Sequence, residues 1–322
     1  MKLNTIEAVN QALDQALSGH KNAIILGEDV GVNGGVFRAT DGLQKKYGKD
    51  RVVDTPLTEE GILGNAVGLA VNGMKPIVEI QFSGFLPPAM DQIFSHAARI
   101  RSRSRGRFTC PLVVRAPAGG GIRALELHCE YPEAFFAHMP GVKVVCPSTP
   151  YDTKGLFLQA MKEEDPVIFL EPMRLYRAIK EEVPEEPYTI PLGKARVARE
   201  GSEITIIAWG SVVKTVMDSV SKMEKVDAEV IDLRTIYPFD EETILKSVRK
   251  TGRCIVVHEA PRTSGFGAEI VATITEKALD SLEAPIIRVT GYDTALPFAK
   301  MENEYIPSEE RIMKAIKKVL SY

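Results

Sequence analysis

From end to end the chain alternates short unbroken apolar runs with segments of helical periodicity, and few folds accept that rhythm. The runs fall at residues 23–26, 52–53, 76–82, 112–115, 142–145 and 167–170, then at 204–209, 228–233, 254–258 and 286–290. Most are continuous rather than alternating. A strand with one wet face alternates apolar and polar residues, whereas a parallel strand covered on both faces does not. Helical patterns separate the runs, at 61–72, 88–103, 150–162, 212–224, 240–250, 268–282 and 308–320. The expected fold is therefore α/β, with mainly parallel sheets flanked by helices.

A length of 322 residues is more than one small core requires, so two domains are expected. The acidic, proline-rich stretch around residues 181–193 breaks the rhythm and reads as a linker. It would separate a domain at 1–180 from a second α/β unit at 194–322. A net charge of −3 gives no basic surface for nucleic acid, and no apolar run approaches a bilayer span. The first 17 residues read as an amphipathic helix rather than a leader. Cys110, Cys129, Cys146 and Cys254 show neither C-x-x-C nor zinc-ligand spacing, as expected of reduced thiols in a cytoplasmic protein.

The run Asp54-Thr55-Pro56-Leu57-Thr58-Glu59-Glu60-Gly61-Ile62 concentrates the chemistry. A Pro-bearing loop enters a helix made of small residues, with two carboxylates at its mouth. In one reading Thr58 caps the helix and the acids complement its dipole. In the other, Glu59 is a functional acid, and the missing bulk behind it lets a ring or backbone pack close. The fragment alone leaves both open. Gly31-Val32-Asn33-Gly34-Gly35 lacks the G-x-G-x-x-G spacing of a dinucleotide site. Gly119-Gly120-Gly121 suits either a ligand-approaching backbone or a flexible loop. His128 follows it in an irregular stretch of the kind where functional residues concentrate. Phe85, after Gly84, is either a core ring or one presented to a planar ligand. Arginines 99, 101, 103, 105 and 107 suit an ion-paired helix end or a subunit contact better than a nucleic-acid patch.

Taken in order, several stretches resemble the beta subunit of the decarboxylating component of 2-oxoacid dehydrogenase complexes, within the transketolase-like superfamily. They include Leu26-Gly-Glu-Asp-Val30, Gly34-Gly-Val-Phe-Arg38, the run from Asp54 to Gly61, Glu79-Ile-Gln-Phe82 and Asp91-Gln92. Pro132-Glu-Ala-Phe-Phe136, Pro140-Gly-Val-Lys-Val-Val145, Lys154-Gly-Leu156 and Leu233-Arg-Thr235 continue the match, which covers essentially the whole chain. The resemblance implies a pyrimidine-binding domain followed by a transketolase C-terminal-like domain. Thiamine diphosphate would lie between this chain and a separate alpha subunit in an alpha2beta2 heterotetramer. That subunit would supply the Gly-Asp-Gly type site for Mg2+ and the diphosphate, a motif missing from this sequence.

Carried over, Glu59 faces N1′ of the pyrimidine. Leu57 and Phe85 pack on the cofactor, with Gln81 near them and Glu28 on the pyrimidine side. His128 assists acyl transfer to a lipoyl group. The carbonyls of Leu112, Ala160, Met161, Glu163 and Asp165 match a K+ site. Two departures stand out: Cys129-Glu130 replaces the Ser-Gln that follows the histidine in many members, and Phe85 replaces a Tyr found in some branched-chain members.

The implied function is oxidative decarboxylation of a small 2-oxoacid and reductive acylation of a lipoyl-bearing acyltransferase core. For the substrate, residues 132–145 lean toward the branched-chain type, while 31–40 and 147–152 look equally like pyruvate members. An acetoin dehydrogenase beta subunit and the C-terminal half of a split transketolase are the enzymatic alternatives. A non-catalytic assembly subunit is the alternative of another class.

Overall fold

Parallel strands cannot be joined by tight turns, so each apolar run must be followed by a crossover, and the helical segments supply it. The computed structural model describes residues 1–322. Its larger sheet has seven strands in the order Thr235–Tyr237, Lys143–Val145, Val167–Pro172, Val113–Ala118, Lys75–Glu79, Ala23–Gly27 and Val52–Asp54. Every pairing in it is parallel except that of Thr235–Tyr237 with Lys143–Val145. The smaller sheet has five strands, ordered Ile287–Val289, Cys254–Val257, Ile204–Ala208, Ala228–Asp232 and Arg196–Arg199, with only the last antiparallel. The expectation of two mainly parallel sheets flanked by helices holds. No helix is long and apolar enough to cross a membrane.

The first helix, Thr5–Gly19, begins with a reciprocal capping box between Asn4 and Glu7. Its apolar face, including Val9, Leu13, Ala16 and Leu17, is buried against the core of the larger sheet. The short strand before it, Lys2–Asn4, pairs with Lys180–Glu182. That pairing holds down the start of the acidic, proline-rich stretch. Lys154 then fixes the rest. Its fully buried ammonium donates to Gln11 Oε1 at 2.8 Å and to the carbonyls of Pro184, Glu185 and Glu186 at 2.5, 3.1 and 3.1 Å. Proline-rich chain leaves carbonyls unpaired, and here one buried cation collects them.

Two details differ from the periodicity reading. Residues 88–103 do not form one helix but a series of short turns, Pro87–Ala89, Gln92–His96, Ala97–Arg99 and Ile100–Arg103. The break falls where the backbone of Gly141 closes on the Ala98 carbonyl, so closely that a Cβ on Gly141 would lie 2.2 Å from that oxygen. The strand Thr235–Tyr237 comes from the C-terminal part of the chain but joins the N-terminal sheet. Beside it, Arg234 Nη1 reaches Asp152 Oδ1 at 3.0 Å and Arg196 Nη2 reaches Asp232 Oδ2 at 2.9 Å, while Ser148 also donates to Asp232. Across the junction the buried Asp152 carboxylate thus meets both Arg234 and, at 3.3 Å, Arg196.

At the centre of the larger sheet sits one buried cation. Arg115 and Glu79 are register partners on adjacent strands, and their side chains form an ion pair. On the other side Arg115 grips Glu171 with two parallel bonds of 2.6 and 2.7 Å, and Tyr176 donates to the same carboxylate at 2.6 Å. All four side chains are buried. Replacing Arg115 by Met would leave two carboxylates uncompensated in the core, which should cost about 3–5 kcal/mol. Urea unfolding of Arg115→Met against the unaltered chain measures this directly.

Candidate functional site

Three neighbouring strands deliver the candidate acids to one edge of the sheet. Gly27 is in register with Asp54 on one side and with Glu79 on the other. Glu28, the turn leading to Glu59, and Gln81 thus leave the sheet together at its carboxyl edge. Val113–Ala118 lies beside Lys75–Glu79, and the loop that follows it carries His128. The carboxyl edge is where open parallel sheets bind ligands.

Glu59 opens the helix Glu59–Val71, and the cap is Thr58, whose hydroxyl accepts from the Gly61 N–H at 3.4 Å. Capping is thus assigned to Thr58, and the half-buried Glu59 takes no part in it. Burial, then the nearby charges of Glu59 and Asp29, hold the Glu28 carboxyl above its usual range. Gln81 Nε2 donates to Asp29 Oδ2 at 3.3 Å. The N–H groups of Gly31 and Val32 bind the Asp54 carboxylate at 2.6 and 3.3 Å, so the glycine run at 31–35 is committed to closing its own loop. Leu57, by contrast, is 79% exposed.

His128 lies against two phenylalanines, with ring centroids 4.4 Å from Phe82 and 5.0 Å from Phe85. Its Nδ1 is 2.7 Å from the Glu126 carbonyl, which can only accept. The proton therefore sits on Nδ1 in the neutral ring, leaving Nε2 free. Gly84 makes this packing possible, because a Cβ there would lie 1.8 Å from the Leu127 carbonyl oxygen. The structure thus brings Phe85 to His128, and Glu28 to Glu59.

The five carbonyls matched to potassium lie at the opposite, amino edge of the sheet. Leu112 precedes Val113–Ala118, and the other four fall at the end of Pro150–Ala160 and before Val167–Pro172. The Leu112 carbonyl accepts from Val167 N–H at 2.9 Å and that of Ala160 from Glu163 N–H at 3.1 Å. The Met161 carbonyl takes the Lys75 ammonium at 2.6 Å. A metal cation there would have to share a carbonyl with a lysine, so the set is a poor fit for potassium. No group of three or more His, Cys, Asp or Glu side chains converges on a metal site.

Residues 1–179 match the family described as transketolase, pyrimidine binding domain, and residues 193–312 match transketolase, C-terminal domain. Over 98% of its length the chain is 53% identical to the pyruvate dehydrogenase E1 component subunit beta of Acholeplasma laidlawii, and covers 98% of that protein. With the protein of the same name from Bacillus subtilis it shares 50% identity, over 100% of this chain and 99% of the other. The chain belongs to the E1 beta-subunit family. A solved structure described as a split gene transketolase, inactive beta4 tetramer, is alike in fold, with a TM-score of 0.81 over 99% of this chain and 98% of the other at 20% identity.

Sequence reasoning missed the buried acids beside this site. Glu133 is fully buried, one of its oxygens has no partner, and the other lies 3.4 Å from Trp209 Nε1 across the domain junction. Its only sequence signal is a charge inside the Pro132–Phe136 match. Burial pushes its carboxyl from 4.5 up to about 8. The folded chain therefore holds a proton there that the unfolded chain has lost, and the resulting stability is full below 4.5 and is lost as pH rises through about 8. Nearby His258, pushed down to about 3 by burial, acts only below its ordinary value of 6.5. Between about pH 6.5 and pH 8, urea stability should fall more steeply in the unaltered chain than in Glu133→Gln.

Proposed function

We propose that this chain is the pyrimidine-binding half of a thiamine diphosphate-dependent 2-oxoacid dehydrogenase, completed by an alpha subunit in an alpha2beta2 assembly. The carrying observation is that the segments bearing Glu28, Glu59, Gln81 and the Phe85–His128 pair leave neighbouring strands at the carboxyl edge of one parallel sheet. Membership of the E1 beta-subunit family supports the same reading. Pyruvate is the favoured 2-oxoacid over branched-chain acids, because the relatives from Acholeplasma laidlawii and Bacillus subtilis are both named for pyruvate.

The residues suit one side of a planar heteroaromatic ring. Two neighbouring carboxyls face solvent beside the exposed Leu57, and Phe85 offers a half-buried ring. Glu59 would face and hydrogen-bond the pyrimidine N1′, with Glu28 beside it on the pyrimidine side. Leu57 and Phe85 would exclude water from the ring face. Bound, the cofactor supplies the electron sink for decarboxylation. The diphosphate and Mg2+ would be held by the alpha subunit. His128, with Nδ1 committed to Glu126, would present Nε2 as acid or base to the sulfur of a lipoyl group arriving on an acyltransferase core.

Alone, the chain should not decarboxylate pyruvate with added thiamine diphosphate and Mg2+, and co-expression with an alpha subunit should restore turnover; robust activity of the isolated chain would sink the shared-site reading. In the reconstituted assembly Glu59→Gln should slow exchange of the thiazolium C2 proton by about 10²-fold or more, the scale of a lost general acid–base contribution. Unchanged exchange would refute the role of Glu59. His128→Ala should slow acyl transfer to a lipoyl domain while sparing decarboxylation read with an artificial electron acceptor. Equal losses in both assays would count against His128 in that step.

A further inference from the structure

The loop that carries His128 is held by carboxylates from the other domain. Gly119-Gly120-Gly121 leaves the strand Val113–Ala118, and its N–H groups face away from solvent. Gly120 N–H donates to Glu259 Oε1. Gly121 N–H donates to Glu302 Oε1 at 2.7 Å, and Arg123 N–H to Glu302 Oε2 at 3.0 Å. Ser211 Oγ steadies the other oxygen of Glu259 at 2.8 Å. Glu259 and Glu302 are 4% and 2% exposed, and they lie 139 and 181 residues from the glycines they bind.

The glycines are what allow this approach. A Cβ on Gly120 would fall 3.1 Å from Glu302 Oε1 and 2.9 Å from Leu296 Cδ1. Gly119 and Gly121 have φ of +85° and +96°, in the left-handed region that other residues avoid. The run is therefore a fixed seat for two carboxylates rather than a hinge. The grip on Arg123 lies five residues before His128. The thiol of Cys129, the residue after it, also comes within 4.0 Å of Glu302 Oε1. Glu302 thus touches the loop on both sides of the histidine.

We propose that Glu302 is a positioning residue for His128, and that through it the C-terminal domain sets the geometry of acyl transfer. A buried carboxylate that accepts two main-chain N–H groups makes charge-assisted bonds in a fixed fork. Gln at this position keeps one acceptor but turns an N–H2 group toward the second amide, leaving a buried donor unpaired. The loop from Gly121 to His128 then loses its register, while the acids at 28 and 59, on other strands, keep theirs. The proposal rests on the reading of His128 as the group that serves the lipoyl sulfur.

The test uses the reconstituted alpha2beta2 assembly carrying Glu302→Gln, Glu302→Asp, His128→Ala or the double change His128→Ala with Glu302→Gln. Amide hydrogen exchange at Gly121 and Arg123 should speed up about tenfold or more in Glu302→Gln, as expected for the loss of a buried charged hydrogen bond. Reductive acylation of a lipoyl domain should fall by about the same factor, while decarboxylation with an artificial acceptor changes less than about twofold. Glu302→Asp, one methylene too short to span both amides, should behave alike, and the double variant should be no slower than His128→Ala alone. Unchanged exchange at the two amides overturns the anchor. Faster exchange with normal acylation, an equal loss in both assays, or additive losses in the double variant overturn the positioning role. If His128→Ala itself acylates normally, the His128 reading fails, and the exchange data still judge the anchor separately.

Discussion

The arginine buried in the middle of the larger sheet is the constraint on which the site's geometry depends. Burial opposes the charge of Arg115, and Glu171, helped by Tyr176, outweighs that opposition. One guanidinium thereby ties together three consecutive strands, Lys75–Glu79, Val113–Ala118 and Val167–Pro172. The ties lie at or near the residues where those strands give way to loops. Glu79 is the last residue of its strand, followed at once by Ile80-Gln81-Phe82. Arg115 stands three residues before the end of the strand that feeds the glycine run. Glu171 is next to last in the third. A planar fork with bidentate geometry fixes orientation as well as distance. The loops that carry Gln81, Phe85 and His128 therefore leave the sheet from points that cannot slide past one another, which is what a site built from several loops requires.

The architecture was legible because its signal is local. Continuous apolar runs of two to seven residues separated by helical periods allow little besides parallel sheets with crossover helices, and both sheets follow that rule. The candidate cofactor residues are an expectation of family resemblance, and the topology brings the segments that carry residues 28, 59 and 81 off neighbouring strand ends at one edge of the sheet. Other features gave no local signal. Periodicity predicted one helix over 88–103, whereas one of the contacts made by the interrupted segment, that of Ala98 with Gly141, lies some forty residues away in sequence. The 119–121 glycines could be read as a ligand loop or a flexible one because their partners, Glu259 and Glu302, lie in the other domain. Arg115 stood at the edge of an apolar run and Glu79 inside another, but only the register between strands turns those two charges into a pair.

The linker shows how composition alone misleads about mobility. Its prolines and acids suggest a free tether, yet a single buried ammonium satisfies three of its carbonyls, and a two-stranded sheet closes on its first residues. Opposite charges across the junction, at Asp152, Arg196, Asp232 and Arg234, add a second set of contacts. Neither set would survive a large rotation of one domain against the other, because each would strand a buried charge. The two domains are therefore held in one arrangement, and only in such an arrangement can a carboxylate of one domain specify a loop of the other.

What the chain leaves uncovered follows the same logic. Leu57, Leu125 and Leu127 are 79%, 69% and 50% exposed, and all three lie in the loops that frame the candidate site. Scattered exposed leucines need no explanation, and these three lie in loops that carry the candidate residues. Under the proposed function, an alpha subunit would cover these leucines and supply the site for the diphosphate and Mg2+.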